Sequence, residues 1–328
     1  MKGAAMSKQL NVKDIPDYFT KTFQSSFLLK EITKKETKEG CKPFYSICLI
    51  DASGSVHGII WQENMQDFHE TLCGKVVDVK SLVTQNSDGD YQLIIREMTE
   101  CIEYQLSDYI NGLTEEESSK YLNLLWKYIK SIKDTSLQEL VQYVFEGIND
   151  LEKYPATSNG HHHFSGGFLV YIISVTSMAT YIQYSLTTYN RTPALSQPYN
   201  IDLLTAGSLL HAVGIVRMVT PAPEMKRIPY TIPLTLYEVT IRYIQEIADH
   251  MEKKVGEHTL NLLFHIIGCV YESDKRKPIL REALILKNSV TLHEKISLLE
   301  HFIIKNQDKA GTVFDEVLGN YIYIESEE

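Results

Sequence analysis

The feature that most constrains the fold of this chain is a change of hydrophobic periodicity near residue 100. Before that point, short runs of β-branched and aromatic residues are separated by turn signals such as Asn86-Ser-Asp-Gly-Asp90. After Thr99, apolar residues recur at the spacing of an amphipathic helix. The sequence therefore predicts an α+β multidomain chain, with a β domain first and an all-helical domain after it.

The first part of the chain predicts a small barrel. Strands are expected at residues 23–32, 43–50, 56–61, 76–83 and 91–96, and a short helix is expected at residues 63–72. Three strands, a helix and two strands is the order of an OB-type barrel, although propensity alone leaves other five-stranded barrels open. Residues 1–105 are therefore predicted to form an OB-fold domain of the nucleic-acid-binding type.

The second part, residues 106–328, predicts a helical domain that includes a helical connector at about 106–152. Thr114-Glu-Glu-Glu117 is a capping box, and Asp134, Thr135 or Ser136 is expected to cap the next helix. Further helices are expected at residues 167–184, 201–219, 236–252, 258–270, 279–291 and 292–305. Nearly everything after residue 106 is therefore expected to be helix or connecting loop.

Composition sets the broad class. A chain of 328 residues with 44% hydrophobic and 23% charged residues suits two soluble domains. The apolar runs are too short for a bilayer span, and no secretory signal is visible at the start. The five cysteines are odd in number and none is spaced as C-x-x-C, which argues against a disulfide framework or a zinc ribbon. We expect a cytoplasmic protein without a membrane partner.

The formal net charge of the chain is −10, whereas a surface that binds nucleic acid is usually basic. The basic residues of such a surface would therefore have to be concentrated in one place. The clearest basic cluster is Lys30, Lys34, Lys35 and Lys38, which is equally well explained as a solvated β-turn. Single-stranded RNA or DNA could stack on aromatic side chains of the barrel, or those side chains could be its core. The candidate contacts are Lys34, Lys35, Phe44, Tyr45, Trp61 and Tyr91.

Histidines are the candidate chemical groups of the helical domain. Three consecutive histidines occur in Asn159-Gly-His-His-His163, just before a Gly-Gly helix entry, and His211 ends an apolar helix. Imidazole is a common metal ligand. Adjacent residues rarely converge on one ion, however, so spacing alone favours a polar loop and a core histidine. The pair His258 and His265 is a weaker candidate, since no carboxylate lies within a turn of His265.

Several segments together resemble a known family. Leu210-His-Ala-Val-Gly214 is similar to the L-H-D-I-G segment of the HD superfamily. Segments 154–167, 201–211 and 281–286 resemble YhaM-type 3′–5′ exoribonucleases, and Lys42-Pro-Phe44 with Leu49-Ile-Asp-Ala-Ser-Gly54 and Trp61 resembles the OB domain of that family. The resemblance covers about residues 10–305, and it implies a divalent metal that activates water against a phosphodiester.

The metal ligands implied by that resemblance are largely replaced. Where the family has a ligand histidine this chain has Tyr171, and in place of the HD aspartate it has Ala212. The later His-His pair of the family falls near Val270 and Tyr271, and its last ligand aspartate falls near Val290. Only His161, His162 and His211 remain in matching places. Hard cations such as Mg²⁺ and Mn²⁺ need oxygen ligands, which Ala and Val cannot supply. The sequence thus predicts an HD fold without HD chemistry and without a cofactor.

We therefore expect a catalytically inactive homologue of a metal-dependent 3′–5′ exoribonuclease. It would bind nucleic acid or serve as an interaction or assembly factor, as a homo-oligomer or with a protein partner. The alternative is a divergent nuclease in which His161, His162, His163 and His211 hold Mn, Mg, Zn or Fe, with Asp202 or Glu257 recruited. The acidic loop before the last strand argues against strong phosphate binding.

Overall fold

The structure is a computed structural model that describes residues 8–36, 43–64, 71–157, 160–189, 198–271 and 277–325. Two compact units are present: Met1–Thr114 together with Pro221–Lys226, and Glu115–Thr220 together with Arg227–Glu328. Lys38, Cys41 and most of the helix expected at 63–72 lie outside the described residues.

The first unit contains a closed five-stranded barrel. Its strands are β1 (Thr22–Glu36), β2 (Pro43–Asp51), β3 (Gly54–Trp61), β4 (Val76–Gln85) and β5 (Tyr91–Glu100). They follow the order β1-β2-β3-β5-β4, in which only the pairing of β3 with β5 is parallel. This closed arrangement of five strands confirms the predicted OB-type barrel.

Alternating side chains fill the barrel. Along β2, Tyr45, Ile47 and Leu49 point inward and are buried, as the alternation of apolar residues in the sequence indicates. The fully buried Phe27, Leu93 and other apolar side chains complete this core. Closure of the barrel leaves aromatic and charged residues of the same strands facing outward.

The first unit extends past the barrel because residues after β5 return to it. Tyr109 and Ile110 pack with Leu28 and Val76, and the Tyr109 hydroxyl is 2.6 Å from Ser26 Oγ. Ala222, from the proline-rich segment after residue 220, joins the same apolar cluster. This burial explains why residues 106–114 and 221–226 group with the barrel and not with the helices.

The second unit is largely helical, as predicted. Its helices are α1 (Glu115–Ser131), α2 (Thr135–Glu146), α3 (Gly167–Tyr189), α4 (Ile201–Leu210), α5 (Leu236–His250), α6 (Glu257–Gly268) and α7 (Arg281–Lys305). Asp134 caps α2 by accepting hydrogen bonds from the backbone of Ser136 and Leu137. Thr235 and Glu238 form a reciprocal capping box at the start of α5.

Three predictions of element bounds were wrong. The helix expected at 201–219 ends at Leu210, and Val213–Arg217 forms a 3-10 turn. The helices expected at 279–291 and 292–305 are the single helix α7. The end of the chain is not all helical, since Gly311–Asp315 (β6) and Asn320–Ile324 (β7) form an antiparallel hairpin.

Helix α3 is long and apolar enough, by length and composition alone, to cross a bilayer. The core helix of a globular domain passes the same test. In α3, Phe168, Leu169 and Ile172 are fully buried in the core of the second unit. Packing within this unit therefore accounts for the apolar character of the first half of α3, where its buried residues lie.

Candidate functional site

The three consecutive histidines lie in a tight loop held against the start of α3. The carbonyl of His161 accepts a hydrogen bond from Thr157 Oγ1 at 2.8 Å, and the carbonyl of His162 accepts one from the Ala156 backbone at 3.1 Å. His162 itself has a φ of 51°, in the left-handed region. A Cβ on Gly167 would lie 2.0 Å from the His162 carbonyl oxygen, so the loop requires glycine there.

Four histidines surround one tyrosine in this unit. The ring centroid of Tyr171, in α3, is 5.3 Å from His161, 6.1 Å from His162, 5.1 Å from His211 and 5.4 Å from His293. We call these five residues the histidine cluster. Four elements build it: the loop before α3, α3 itself, the end of α4 and the middle of α7. The structure thus brings together His161, His162 and His211, the three histidines that the sequence resemblance selected.

Each of these histidines has a buried nitrogen without a hydrogen-bond partner among the described residues: His161 Nε2, His162 Nε2, His211 Nε2 and His293 Nδ1. For His211 the arrangement fixes the tautomer. Its Nδ1 is 2.8 Å from the Ser208 carbonyl, which can only accept, so Nδ1 carries the hydrogen and Nε2 keeps a lone pair.

Burial keeps the cluster uncharged at neutral pH. Burial, together with the neighbouring His293, lowers the pKa of His162 and of the fully buried His211 to about 4. Burial likewise lowers the pKa of His161 and of His293. The pKa of Tyr171 is raised well above its usual value, because the phenol is buried and lies beside the Glu294 carboxylate.

The cluster does not fit the divalent-metal site that the family resemblance implies. The Tyr171 ring lies between the histidines, and its hydroxyl donates to Glu294 Oε1 at 3.1 Å. Ala212 and Val290 are buried apolar side chains. In the part of the chain that the structure describes, no three His, Cys, Asp or Glu side chains are placed to hold one ion. Besides imidazole and phenol, a hard cation would find the Glu294 carboxylate, which already accepts from Tyr171, and no carboxylate from Ala212 or Val290.

Two of the other candidate ligands, His163 and Asp202, make hydrogen bonds elsewhere, and the third, Glu257, is exposed. His163 is 2.8 Å from the Thr157 carbonyl, and Asp202 accepts a hydrogen bond from the Asp134 backbone. Glu257 is an exposed residue at the start of α6. Tyr271, at another replaced position, donates from its hydroxyl to the backbone carbonyl of His211. Tyr171 thus lies at the centre of the histidine cluster, and Tyr271 contacts it through the backbone of His211.

His293 and Glu294 are members of the site that the sequence reasoning missed. The family comparison pointed to Val290 as the last ligand position, and His293 lies three residues further along the same helix. Residues three apart share a helical face. A histidine one turn beyond Val290, the position that the resemblance assigned to the last ligand, was therefore the available signal.

The candidate nucleic-acid contacts on the barrel fall into two groups. Phe44 and Trp61 are partly exposed, with ring centroids 5.9 Å apart, and Trp61 lines a groove of about 390 Å³ together with Pro43, Gln62 and Glu63. Tyr45 is only 8% exposed and belongs to the barrel core.

At another place on the barrel, Tyr91 forms an edge-to-face pair with Phe19, and both rings are exposed. Phe19 was not among the candidates. Lys34 and Lys35 are exposed on β1, opposite Tyr45 and Phe44 of β2. Thus the first unit displays two aromatic pairs and, on β1, two exposed lysines flanked by Glu31 and Glu36.

The fold and the site together describe a chain of two units. The first is a barrel of OB topology, and the second is a helical unit that contains a buried histidine cluster. No family model matches it. It is 25% identical over 299 residues to the 3′–5′ exoribonuclease YhaM of Oceanobacillus iheyensis, an alignment that covers 87% of this chain and 88% of the relative. A relationship to 3′–5′ exoribonucleases, expected from the motifs, is therefore supported over most of the chain.

Solved structures match the barrel at low identity. The OB domain of Ta0387 from Thermoplasma acidophilum is 15% identical, and the match covers 33% of this chain and 94% of that one with a TM-score of 0.23. The second OB-fold domain of replication protein A from Methanococcus maripaludis is 17% identical, with 27% and 89% covered and a TM-score of 0.20.

Proposed function

We propose that this chain is a non-catalytic relative of a 3′–5′ exoribonuclease that binds single-stranded nucleic acid through its barrel. The observation that carries the proposal is the position of Tyr171. Its ring lies among His161, His162, His211 and His293, where the family resemblance implies a metal-bound water.

Physical chemistry supports the loss of hydrolysis. Phosphodiester cleavage in this family requires a metal to generate the nucleophile and to offset the charge of the transition state. Neutral imidazoles around a phenol supply no such charge. The lowered pKa of His211 and of His162 means that protonated imidazole is scarce at neutral pH as well.

The barrel supports nucleic-acid binding by stacking more than by charge. Phe44 with Trp61, and Phe19 with Tyr91, offer exposed rings on which bases can stack, and each stacked base contributes about 1–3 kcal/mol. Asp88 and Asp90 lie in the turn just before Tyr91 and repel phosphates. Binding should therefore depend only weakly on salt.

Fluorescence anisotropy with a labelled single-stranded RNA tests the proposal. We expect Trp61→Ala to weaken binding roughly tenfold, in keeping with loss of one stacked base. Tyr181→Ala is the control, because it likewise removes a large exposed aromatic side chain, here on α3 of the other unit. Equal affinities of the wild type and Trp61→Ala, or RNA cleavage that His211→Ala abolishes, would count against the proposal.

A second candidate function is a divergent metal-dependent nuclease, and the unpartnered nitrogens of the histidine cluster favour it. Imidazole suits Zn, Fe and Ni better than Mg. This candidate requires Tyr171 to leave the cluster when metal binds. Elemental analysis of the purified protein distinguishes the two candidates. One transition-metal ion per chain in the wild type, and its absence from His211→Ala, would support a metal site. No transition metal in either protein would argue against it.

A further inference from the structure

The groove beside Trp61 on the barrel combines an aromatic wall with two polar side chains. It is lined by Pro43, Trp61, Gln62 and Glu63 and has a volume of about 390 Å³. Trp61 is partly exposed, and its ring lies 5.9 Å from that of Phe44, the residue directly opposite it on β2. Gln62 and Glu63 follow it in a short 3-10 turn and are exposed. A ligand in this groove therefore meets a flat apolar ring, an amide and a carboxylate.

The size and the aromatic wall of the groove suit a single nucleobase. Ligand pockets in proteins commonly have volumes of about 300–1,000 Å³, so this groove is at the small end of that range. Phe44 and Trp61 are paired across β2 and β3, which places the indole on a regular part of the barrel. Unstacked bases of single-stranded RNA stack on such rings and expose their Watson–Crick edges to neighbouring polar groups.

The two polar side chains select which base fits best. A carboxylate offers only acceptors, so the edge of the base that faces Glu63 has to carry donors. Guanine has two adjacent donors on its Watson–Crick edge, the N1–H group and the N2 amino group, which match the two oxygens of one carboxylate. The guanine O6 lies next to N1 and can accept from the Gln62 amide, which is a donor.

The other bases match this pair of side chains less well. Adenine and cytosine each present one amino donor beside a ring nitrogen that only accepts, so one oxygen of Glu63 would be left without a donor. Uracil presents one N–H group between two carbonyl oxygens, which a carboxylate repels. A cationic side chain would suit Trp61 and Glu63, but it has no acceptor for the amide donors of Gln62. Acceptors at Glu63 next to a donor at Gln62 therefore favour guanine.

We propose that the groove beside Trp61 binds one guanine base of single-stranded RNA. The base stacks on Trp61, its N1–H and N2 amino groups donate to the Glu63 carboxylate, and its O6 accepts from the Gln62 amide. This inference rests on the proposed function, because it requires RNA to bind the barrel. It gives that binding a preference for strands that contain an unpaired guanine, and it gives Glu63 a role in base recognition although an acid repels phosphates.

Fluorescence anisotropy with short labelled oligouridylates that differ in one central base tests the proposal on the full-length protein. The wild type should bind the guanosine probe roughly tenfold more tightly than the adenosine probe, as expected for a bidentate contact to a base. Inosine keeps N1–H and O6 but lacks the N2 amino group, so its probe should bind with intermediate affinity. Glu63→Gln replaces an acceptor with a donor, and it should weaken binding of the guanosine probe and abolish the preference.

Glu103→Gln is the matched control, since it removes an equal charge at an exposed position elsewhere in the first unit, and it should keep the guanosine preference. Equal affinity of the wild type for the guanosine and adenosine probes would overturn the inference and leave RNA binding by the barrel intact. That result is also expected if the groove receives a cationic side chain. A guanosine preference that Glu63→Gln leaves unchanged would overturn the inference as well. If no probe binds, the proposed function fails together with it.

Discussion

The barrel surface and the histidine cluster differ in where their functional side chains lie. On the barrel, Trp61 and Tyr91 are at least partly exposed and can meet a ligand. In the cluster, Tyr171 and His211 are buried in the core of the helical unit. A side chain on the barrel surface is available to a ligand, whereas a side chain of the buried cluster contributes to the packing of the helical unit.

This difference has an energetic consequence. Unpartnered buried nitrogens cost free energy, since each has lost its hydrogen bonds to water. The phenol of Tyr171 offsets part of that cost with ring contacts and a hydrogen bond to Glu294. We therefore expect substitutions in the cluster to change the stability of the helical unit, and substitutions on the barrel surface to change binding.

The largest expected effect is that of Gly167→Ala. The added Cβ would lie 2.0 Å from the His162 carbonyl oxygen, and backbone cannot move away cheaply. We expect the free energy of unfolding of the helical unit to fall by on the order of 4 kcal/mol. The two tryptophans separate the units, because Trp126 lies in α1 and Trp61 in the barrel. Guanidinium unfolding of Trp61→Phe, followed by fluorescence, therefore reports the helical unit alone.

The control for this measurement is Gly256→Ala. Its Cβ would meet nothing closer than 4.0 Å, so the midpoint should hardly move. If Gly167→Ala were as stable as Gly256→Ala, the loop of three histidines would not be packed against α3 as described.

The second effect is a loss of stability in acid. The folded state holds the pKa of His211 at about 4, whereas the unfolded chain takes up a proton near the usual value of 6.5. Protonation of His211 therefore favours unfolding as the pH falls from 6.5 towards 4. The stability that the neutral His211 contributes is fully present above pH 6.5 and is lost over this range. The expected slope from His211 is about 1.4 kcal/mol per pH unit.

Unfolding of the Trp61→Phe protein between pH 7 and pH 5 measures this slope. His211→Asn keeps a side-chain donor for the Ser208 carbonyl but cannot titrate, so it should show a shallower dependence on pH. Identical slopes in the two proteins would mean that His211 is not the buried neutral group described above.

The barrel and the helical unit also show which features a sequence can predict and which it cannot. Alternation along β2, and the cap at Asp134, are local patterns, and the structure has both. The break after Leu210 depends on a distant contact, because the Gly214 backbone donates to Thr240 Oγ1 of α5. No local signal in residues 201–219 contains that information.

The candidate site could also be predicted only in part from the sequence. His161, His162 and His211 could be selected by motif, but their convergence on Tyr171 depends on tertiary packing. His293 comes from α7, more than eighty residues after His211. The terminal hairpin was missed for another reason. Val, Phe, Tyr and Ile in residues 313–324 are typical of strands, but nearly all of the chain after residue 106 was expected to be helix or connecting loop.

A third and smaller effect is expected from Tyr171→Phe. This change keeps the ring among the histidines and removes the hydroxyl that donates to Glu294. Loss of a hydrogen bond to a carboxylate should lower the free energy of unfolding of the helical unit by about 1.5 kcal/mol. In the Trp61→Phe background the fluorescence midpoint should shift accordingly. An unchanged midpoint would show that ring packing alone holds the cluster.

The smallest expected effect lies on the barrel, where Asp88→Lys should strengthen RNA binding. The turn at 86–90 is held by Asn86 Oδ1, which accepts from the backbones of Asp88 and Asp90, so a new side chain at residue 88 leaves these bonds intact. Removing an acid and adding a base beside Tyr91 should improve binding several-fold at low salt, about 1 kcal/mol. The plot of log affinity against log salt should become steeper by about one unit. Asp88→Asn should give an intermediate result, and a gain that persists unchanged at high salt would contradict an electrostatic origin.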